Sequence, residues 1–334
     1  MNELFEPGYI ALYRSGELKR RAEALKVRLA SCDICPRQCG VNRLENETEF
    51  CRCGRLPLVS TVCSHHGEEP VIAGSRGSGT IFFAGCNMRC VYCQNYQISQ
   101  EWQKEQLEAI TTTDLAKFML YLQDKLGCHN INLVSPSHFV APIVSAILEA
   151  VPMGLRLPII YNTSSYDSLK SLEALDGIIS IYLADLRYAS NVHAEMFSQA
   201  PGYVEVSRTA IKEMYRQVGD LKVDDKGIAR QGLIIRHLIL PNRLAGSEAS
   251  LTWLAREVSP TVTVSIMSQY SPTHRASENT PLARTITPQE YAAVTGLLER
   301  LGLDNGWVQA MDAAGNYLPD FKREGHPFSN TDNP

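Results

Sequence analysis

The sequence predicts an α/β fold built on a parallel sheet, and three observations lead there. Between residues 80 and 303, short apolar runs alternate with helix-patterned stretches. Six strand–helix units fit in that span at about 37 residues each, enough for right-handed parallel crossovers of about 30 or more. Nine of the ten cysteines fall between residues 32 and 93, ahead of and inside the first unit.

Taken in order, residues 9–29 form an amphipathic helix. Leu18, Ala22, Leu25 and Leu29 make its apolar face, and Lys19, Arg20, Arg21 and Lys26 a solvated one. Residues 31–79 are rich in Cys, Gly and Pro and poor in periodic segments, as in a loop-built appendage stabilised by metal. The first strand is 80–84, closed by Gly85. Thr111 with Asp114 starts a helix whose stripe is Leu115, Phe118, Leu122 and Leu126. Further strands are expected at 130–134, 157–162, 178–185, 232–240 and 261–270. Helices are expected at 139–151, about 191–218 and 247–257. The last helix has a capping box, Thr287 with Glu290, then Pro288 at its first position and Gly302 at its end. The chain divides into a helix and cysteine-rich region at 1–75, a core at 76–305, and a C-terminal extension at 306–334 that is partly disordered.

Composition narrows the function. The 334-residue chain is 44% hydrophobic and 20% charged, with a formal net charge of −4. No strongly basic surface is expected, so nucleic acid is not a partner by default. The N-terminus, Met-Asn-Glu-Leu-Phe-Glu, lacks the pattern of a signal peptide. The longest uncharged stretch, 128–148, carries Asn, Ser, Pro and His residues and does not read as a membrane span. A cytoplasmic protein with reduced thiols is expected, and metal binding is favoured over disulfides.

The sharpest motif is Gly85-Cys86-Asn87-Met88-Arg89-Cys90-Val91-Tyr92-Cys93-Gln94-Asn95. Three thiolates this close suit an iron–sulfur cluster. With only three protein ligands, one iron keeps an open position for substrate or cofactor, as in other catalytic metal sites. Zinc is the weaker reading, since no histidine stands beside the loop to complete four ligands. Parallel α/β barrels carry their chemistry at the C-terminal ends of the strands. Here those ends lead into Ser135-Pro136-Ser137-His138, Asn162-Thr163-Ser164, Asp185-Leu186-Arg187, Arg236-His237 and Met267-Ser268-Gln269.

The triplet resembles the signature of the radical S-adenosylmethionine superfamily, in which three cysteines hold a 4Fe-4S cluster and S-adenosylmethionine occupies the open iron. The resemblance implies a partial (β/α)6 TIM-like barrel and reductive cleavage of that cofactor to a 5′-deoxyadenosyl radical. It implies that Cys86, Cys90 and Cys93 hold the cluster and that Tyr92 helps seat the adenine. Cys35-Pro36-Arg37-Gln38-Cys39-Gly40-Val41-Asn42-Arg43, His66-Gly67-Glu68-Glu69-Pro70, Cys93-Gln94-Asn95 and Arg236-His237-Leu238 are similar to the branch of pyruvate formate-lyase activating enzyme-like iron–sulfur proteins. That branch implies a glycyl radical enzyme as partner and a reductant such as flavodoxin or ferredoxin. By the same resemblance Asp185 and Arg187 orient the amino-acid part of the cofactor, with Arg187 in place of a lysine. The family's Gly-Gly-Glu segment is absent. Ser135 is the candidate for its amino-group contact, and Asn162 and His237 are candidates for ribose or adenine. A small-molecule or other non-glycyl substrate, or a non-catalytic metal-binding protein, are the alternatives.

A second group, Cys32, Cys35, Cys39 and Cys51, has four-ligand spacing, with Cys53 and Cys63 competing for the last place. Zinc and a second 4Fe-4S cluster both suit it. Cys128 reads as a small buried hydrophobe. His65, His66, Glu68 and Glu69 are placed either at the active rim, at the second metal or in a solvated loop.

Overall fold

The computed structural model describes residues 5–278, 280–311, 318–323 and 326–328. Strand β1 (Val59–His65) runs antiparallel to β2 (Ser78–Phe83) at one edge of the sheet. From β2 onward the neighbours are parallel and follow chain order: β3 (Ile131–Val134), β4 (Ile159–Thr163) and β5 (Ile181–Asp185). The two-residue β6 (Lys222–Val223) pairs only with β7 (Ala229–Leu238), which continues the parallel series into β8 (Thr263–Met267) and β9 (Gly306–Val308). The short α3 (Pro70–Ala73) joins β1 to β2 and the short α4 (Tyr96–Ser99) follows β2, while longer helices cover the outside: α1 (Gly8–Arg14), α2 (Glu17–Val27), α5 (Thr112–Asp124), α6 (Val140–Ala150) and α7 (Leu169–Leu175). They continue with α8 (Asn191–Ser198), α9 (Tyr203–Val218), α10 (Ser247–Glu257) and α11 (Pro288–Leu301). Six parallel strands, β2, β3, β4, β5, β7 and β8, each followed by a helical crossover, make the partial (β/α)6 TIM-like barrel, and β9 adds a seventh parallel strand at its edge.

Side chains alternate across each strand, and the parity decides what the barrel holds. Tyr161, Tyr182, Ile235 and Ile266 point outward into the main hydrophobic core under the helices. Ile160, Ile181, Leu183 and Ile234 point inward and, with Ile72 of α3, fill the lower barrel. Leu18, Leu25 and Leu29 join the main core, α2 lying against α6 and α7.

Local signals explain the ends of elements. The Thr111 side chain accepts from the Asp114 N–H, and Thr287 and Glu290 complete a reciprocal capping box. Gly302 ends α11 in the left-handed conformation, φ 66°. The structure departs from the sequence reading in five places. The first helix breaks at Ser15–Gly16, where Gly16 has φ 79°. The long 191–218 helix is two helices, split by left-handed Gln199 and Gly202 around Pro201. Residues 31–79 include β1 and α3, and an irregular register at Val59/Thr61 hides the alternation of β1. Residues 306–308 form β9, too short for a periodic signal. Leu126 lies past the end of α5 and is exposed. Of the C-terminal extension expected to be partly disordered, residues 312–317, 324–325 and 329–334 lie outside the described residues. No helix of the described residues is long and apolar enough to cross a membrane.

Candidate metal and cofactor site

At the C-terminal ends of the parallel strands lies a cavity of about 390 Å³. Inward parity places Phe82, Val134, Asn162, Asp185, Arg236 and Met267 on its wall. Asp185 and Arg236 are register partners across β5 and β7, and Arg236 and Ser265 across β7 and β8.

The cysteine loop leaves β2 through Gly85, whose φ of 75° suits glycine. Its backbone is tied to the end of α8: the Arg89 N–H donates to Ser198 O (2.8 Å) and the Val91 N–H to Phe197 O (2.8 Å). Cys86, Cys90 and Cys93 all border the cavity. Each sulfur has a hydrogen-bonding neighbour. The Met88 N–H donates to Cys86 (3.3 Å), the Ser198 hydroxyl to Cys90 (3.0 Å), and Ser99 Oγ lies 3.2 Å from Cys93. Burial, then the neighbouring Cys90, pushes the Cys93 thiol up to about 12 and raises Cys86 as well. Binding a metal ion or cluster at these sulfurs therefore releases protons.

Tyr92 is buried and lines the cavity. Its hydroxyl donates to Tyr188 (2.6 Å), Tyr188 is 2.7 Å from Ser198 Oγ, and Ser198 reaches Cys90. The ring thus serves the cavity wall while the hydroxyl anchors a relay to the sulfur.

Asp185 and Arg187 form an ion pair at the end of β5, both mostly buried. Burial raises the Asp185 pKa against the pull of Arg187. Tyr203 holds this turn, accepting from the Arg187 N–H (2.9 Å) and donating to Ser164 O (2.9 Å). The Arg187 Nε is buried without a hydrogen-bond partner, one donor left over beside the cavity. Ser135 and Asn162 also line the cavity. Ser135 has left-handed φ 58°, with its N–H on Asn162 O (3.0 Å).

His237 is the correction. Its parity on β7 is opposite to that of Arg236 and Leu238, so it points out of the barrel and is fully buried. Its Nδ1 donates to Leu186 O (2.7 Å) and its Nε2 accepts from the Ser247 hydroxyl (2.8 Å). Burial lowers its pKa to about 4, so the ring is neutral. It does not face a ribose or adenine in the cavity; it fixes the turn between Asp185 and Arg187.

The inward neighbour Arg236 carries what the sequence reading left unassigned. Its guanidinium meets Glu69 at 2.7 and 2.6 Å and also pairs with Glu68, whose other oxygen accepts from Asn132 Nδ2 (2.9 Å). Burial works to raise the Glu68 pKa, but Arg236 and then His65 more than offset it and the carboxylate stays low. His65, Glu68 and Glu69 therefore reach the cavity rather than the second cysteine group, while His66 is exposed. The signal was the period of two along Ile234, Arg236 and Leu238.

The second cysteine group also gathers. Cys35 is near Cys51, Cys32 and Cys39, and Cys39 near Cys32 and Cys51. Cys53 hydrogen-bonds with Cys51 and touches Ala84 O (3.7 Å). Cys63 lies elsewhere, packed with Phe82, Ile98 and Val134, and Cys128 is buried. Among the described residues, no three His, Cys, Asp or Glu side chains are close enough to hold a single metal ion.

No family model matches the chain. An uncharacterized protein of Methanocaldococcus jannaschii is 29% identical over 293 residues, covering 86% of this chain and 80% of that protein. Among solved structures, methylornithine synthase (PylB) is similar with a TM-score of 0.44 and 12% identity, over 99% of this chain and 88% of that one. HydG, a maturase of the FeFe hydrogenase, gives a TM-score of 0.43 and 10% identity over 67% of this chain. The chain spans about half of HydG, 48% of its length. The likenesses are coarse, and the functional reading stands on the residues of the site.

Proposed function

We propose that this protein is a radical S-adenosylmethionine enzyme of the cytoplasm. One observation carries the reading: three cysteines at spacings of four and three residues border one cavity, at the C-terminal ends of a parallel sheet. Cys86, Cys90 and Cys93 would hold a 4Fe-4S cluster, and their small, hydrogen-bonded thiols fit that group. A cluster held there would supply one-electron reductive cleavage of S-adenosylmethionine to methionine and a 5′-deoxyadenosyl radical, with a flavodoxin or ferredoxin as electron donor. The chain's own residues bind and orient. The unpartnered Nε of Arg187 suits a carboxylate, and Asp185 keeps the guanidinium in place. Tyr92 seats the adenine face, and Ser135 and Asn162 offer polar contacts from the rim. Buried walls exclude water from a reactive radical.

The partner proposed from the motif strings is a glycyl radical enzyme. A second reading, a small polar substrate, is favoured by the cavity itself. Pro319 and Phe328 border it, and Phe328 stacks on His65 with ring centroids 4.2 Å apart. The Arg236–Glu68–Glu69 group offers polar anchors.

The test is anaerobic reconstitution, reduction, and assay of 5′-deoxyadenosine and methionine. Both are expected from the wild type and neither from Cys90→Ala. Absence of product from a fully clustered wild type refutes the reading. Deuterium transfer into 5′-deoxyadenosine, from a glycine-labelled partner enzyme or a labelled small molecule, decides between the two substrates.

A further inference from the structure

Among the described residues, a further concentration of metal-ligating side chains lies outside the cavity, on the segment between α2 and β1. Its described residues form only two short 3-10 turns, Arg28–Ser31 and Arg43–Glu45, so apolar periodicity does not hold it in shape. Backbone hydrogen bonds fold it into a knuckle instead. The Cys32 N–H donates to Val41 O (3.0 Å), the Gly40 N–H returns to Cys32 O (3.0 Å), and the Gln38 N–H donates to Cys35 O (3.1 Å). The knuckle brings Cys32, Cys35 and Cys39 together, and Cys51 joins them from the far side of the loop.

Arg43 is the second observation. Its side chain is 1% exposed, among the most buried in the protein. It forms no ion pair with a carboxylate among the described residues. Its donors go to Gly54 O at 3.0 and 2.6 Å, to His138 O at 2.6 Å, and toward the Cys32 sulfur at 3.9 Å. Carbonyls satisfy its hydrogen bonds but do not balance its charge. Burying a cation without a counter-charge is strongly unfavourable, because the lost hydration is not repaid. The groups beside it that can carry negative charge are thiols. Four thiolates packed together repel one another unless a cation sits among them.

We propose that Cys32, Cys35, Cys39 and Cys51 hold a second metal centre as thiolates, with Arg43 as its buried counter-charge, independent of the site at Cys86, Cys90 and Cys93. Four cysteine thiolates are the usual ligand set of a 4Fe-4S cluster, and that is the assignment put to the test. A tetrahedral zinc with bonds of about 2.3 Å draws its four sulfurs to about 3.8 Å from one another. A cluster instead distributes its four thiolates over separate irons. The two centres share a wall: Arg89 donates to Cys86 O (3.1 Å) and to Phe50 O, the residue before Cys51. Cys53 packs against the backbone of Ala84.

The test is metal and sulfide content per chain of the full protein, prepared without oxygen. It compares the wild type with a triple variant, Cys86→Ala with Cys90→Ala and Cys93→Ala, and with the same variant carrying Cys32→Ala and Cys35→Ala in addition. The wild type is expected to hold about eight irons, the triple variant about four with matching sulfide, and the five-fold variant none. One zinc per chain in the triple variant supports the thiolate centre and overturns the cluster assignment. Neither iron nor zinc in a triple variant of wild-type circular dichroism overturns the site. Should the triple variant not fold, the wild type decides alone, since about four irons and no zinc is the contradicting count. Arg43→Gln keeps every cysteine and is expected to lose metal faster to a chelator than the wild type. The radical reading can fail, with no cofactor cleaved, while this metal remains bound, so the two failures are distinct.

Discussion

Arg236 and Glu69, 167 residues apart in the chain, meet inside the barrel through two hydrogen bonds of 2.7 and 2.6 Å. The loop between β1 and α3 brings the carboxylate and inward parity on β7 brings the guanidinium. Their side chains are 14% and 6% exposed, so water does little to screen them. Removing one partner of a buried ion pair costs about 3–5 kcal/mol, mostly because the other charge is stranded. Arg236→Gln is therefore expected to lower unfolding free energy in urea by that amount. Adding Glu68→Gln and Glu69→Gln should recover part of it. An Arg236→Gln protein as stable as the wild type would contradict a structural role for this group.

Gly85 is the hinge between β2 and the cysteine loop. A Cβ there would stand 2.4 Å from Cys53 Sγ and 2.9 Å from Cys51 O, with φ at 75°. Gly85→Ala is expected to destabilise by about 1–3 kcal/mol through strain at a left-handed position, and to displace Cys86. Its reconstituted iron content should fall below that of the wild type. Full iron content with unchanged stability would show that the loop accommodates the methyl group.

Ser198 reaches Cys90 at 3.0 Å from the end of α8. Hydrogen bonds to the sulfurs stabilise the reduced, more negative cluster. Ser198→Ala should shift the reduction potential to more negative values while leaving iron content intact. A potentiometric titration reads it, and an unchanged potential would mean that this hydroxyl does not face a ligand sulfur.

His237 titrates with folding. Burial lowers its pKa to about 4, against 6.5 for the ordinary group. Between those values the unfolded chain binds the proton and the folded one does not, so stability rises with pH through this window and is lost as pH falls from 6.5 toward 4. At 1.36 kcal/mol per pKa difference of one, the contribution is of order 3 kcal/mol. The wild type minus His237→Gln difference in unfolding free energy should shrink as pH drops from 7 to 4. A flat difference across that range would contradict the assignment.

How much of this was legible in the chain follows from the kind of signal each residue leaves. The six parallel strands are buried runs bounded by turns, and the capping box of Thr287 and Glu290 is a local pattern, so both read directly. The cysteine triplet is likewise a contiguous motif. His237 and Arg236 are adjacent, and only the strand's two-residue period says which one faces the cavity. Helix breaks at Gly16 and Gly202 and the strand at 306–308 depend on left-handed turns or on long-range pairing, which leave little trace in a window of sequence. Ser198 and Tyr188 reach Cys90 only through tertiary contact, so nothing near Cys90 in the sequence announces them.

The central claim is that three thiolates leave one iron free for the sulfonium cofactor. Electron paramagnetic resonance of the reduced Cys32→Ala/Cys35→Ala variant, before and after adding S-adenosylmethionine, tests it most directly. The claim predicts a changed spectrum once the cofactor is added. An identical spectrum at saturating cofactor would mean that the position is closed by the protein itself.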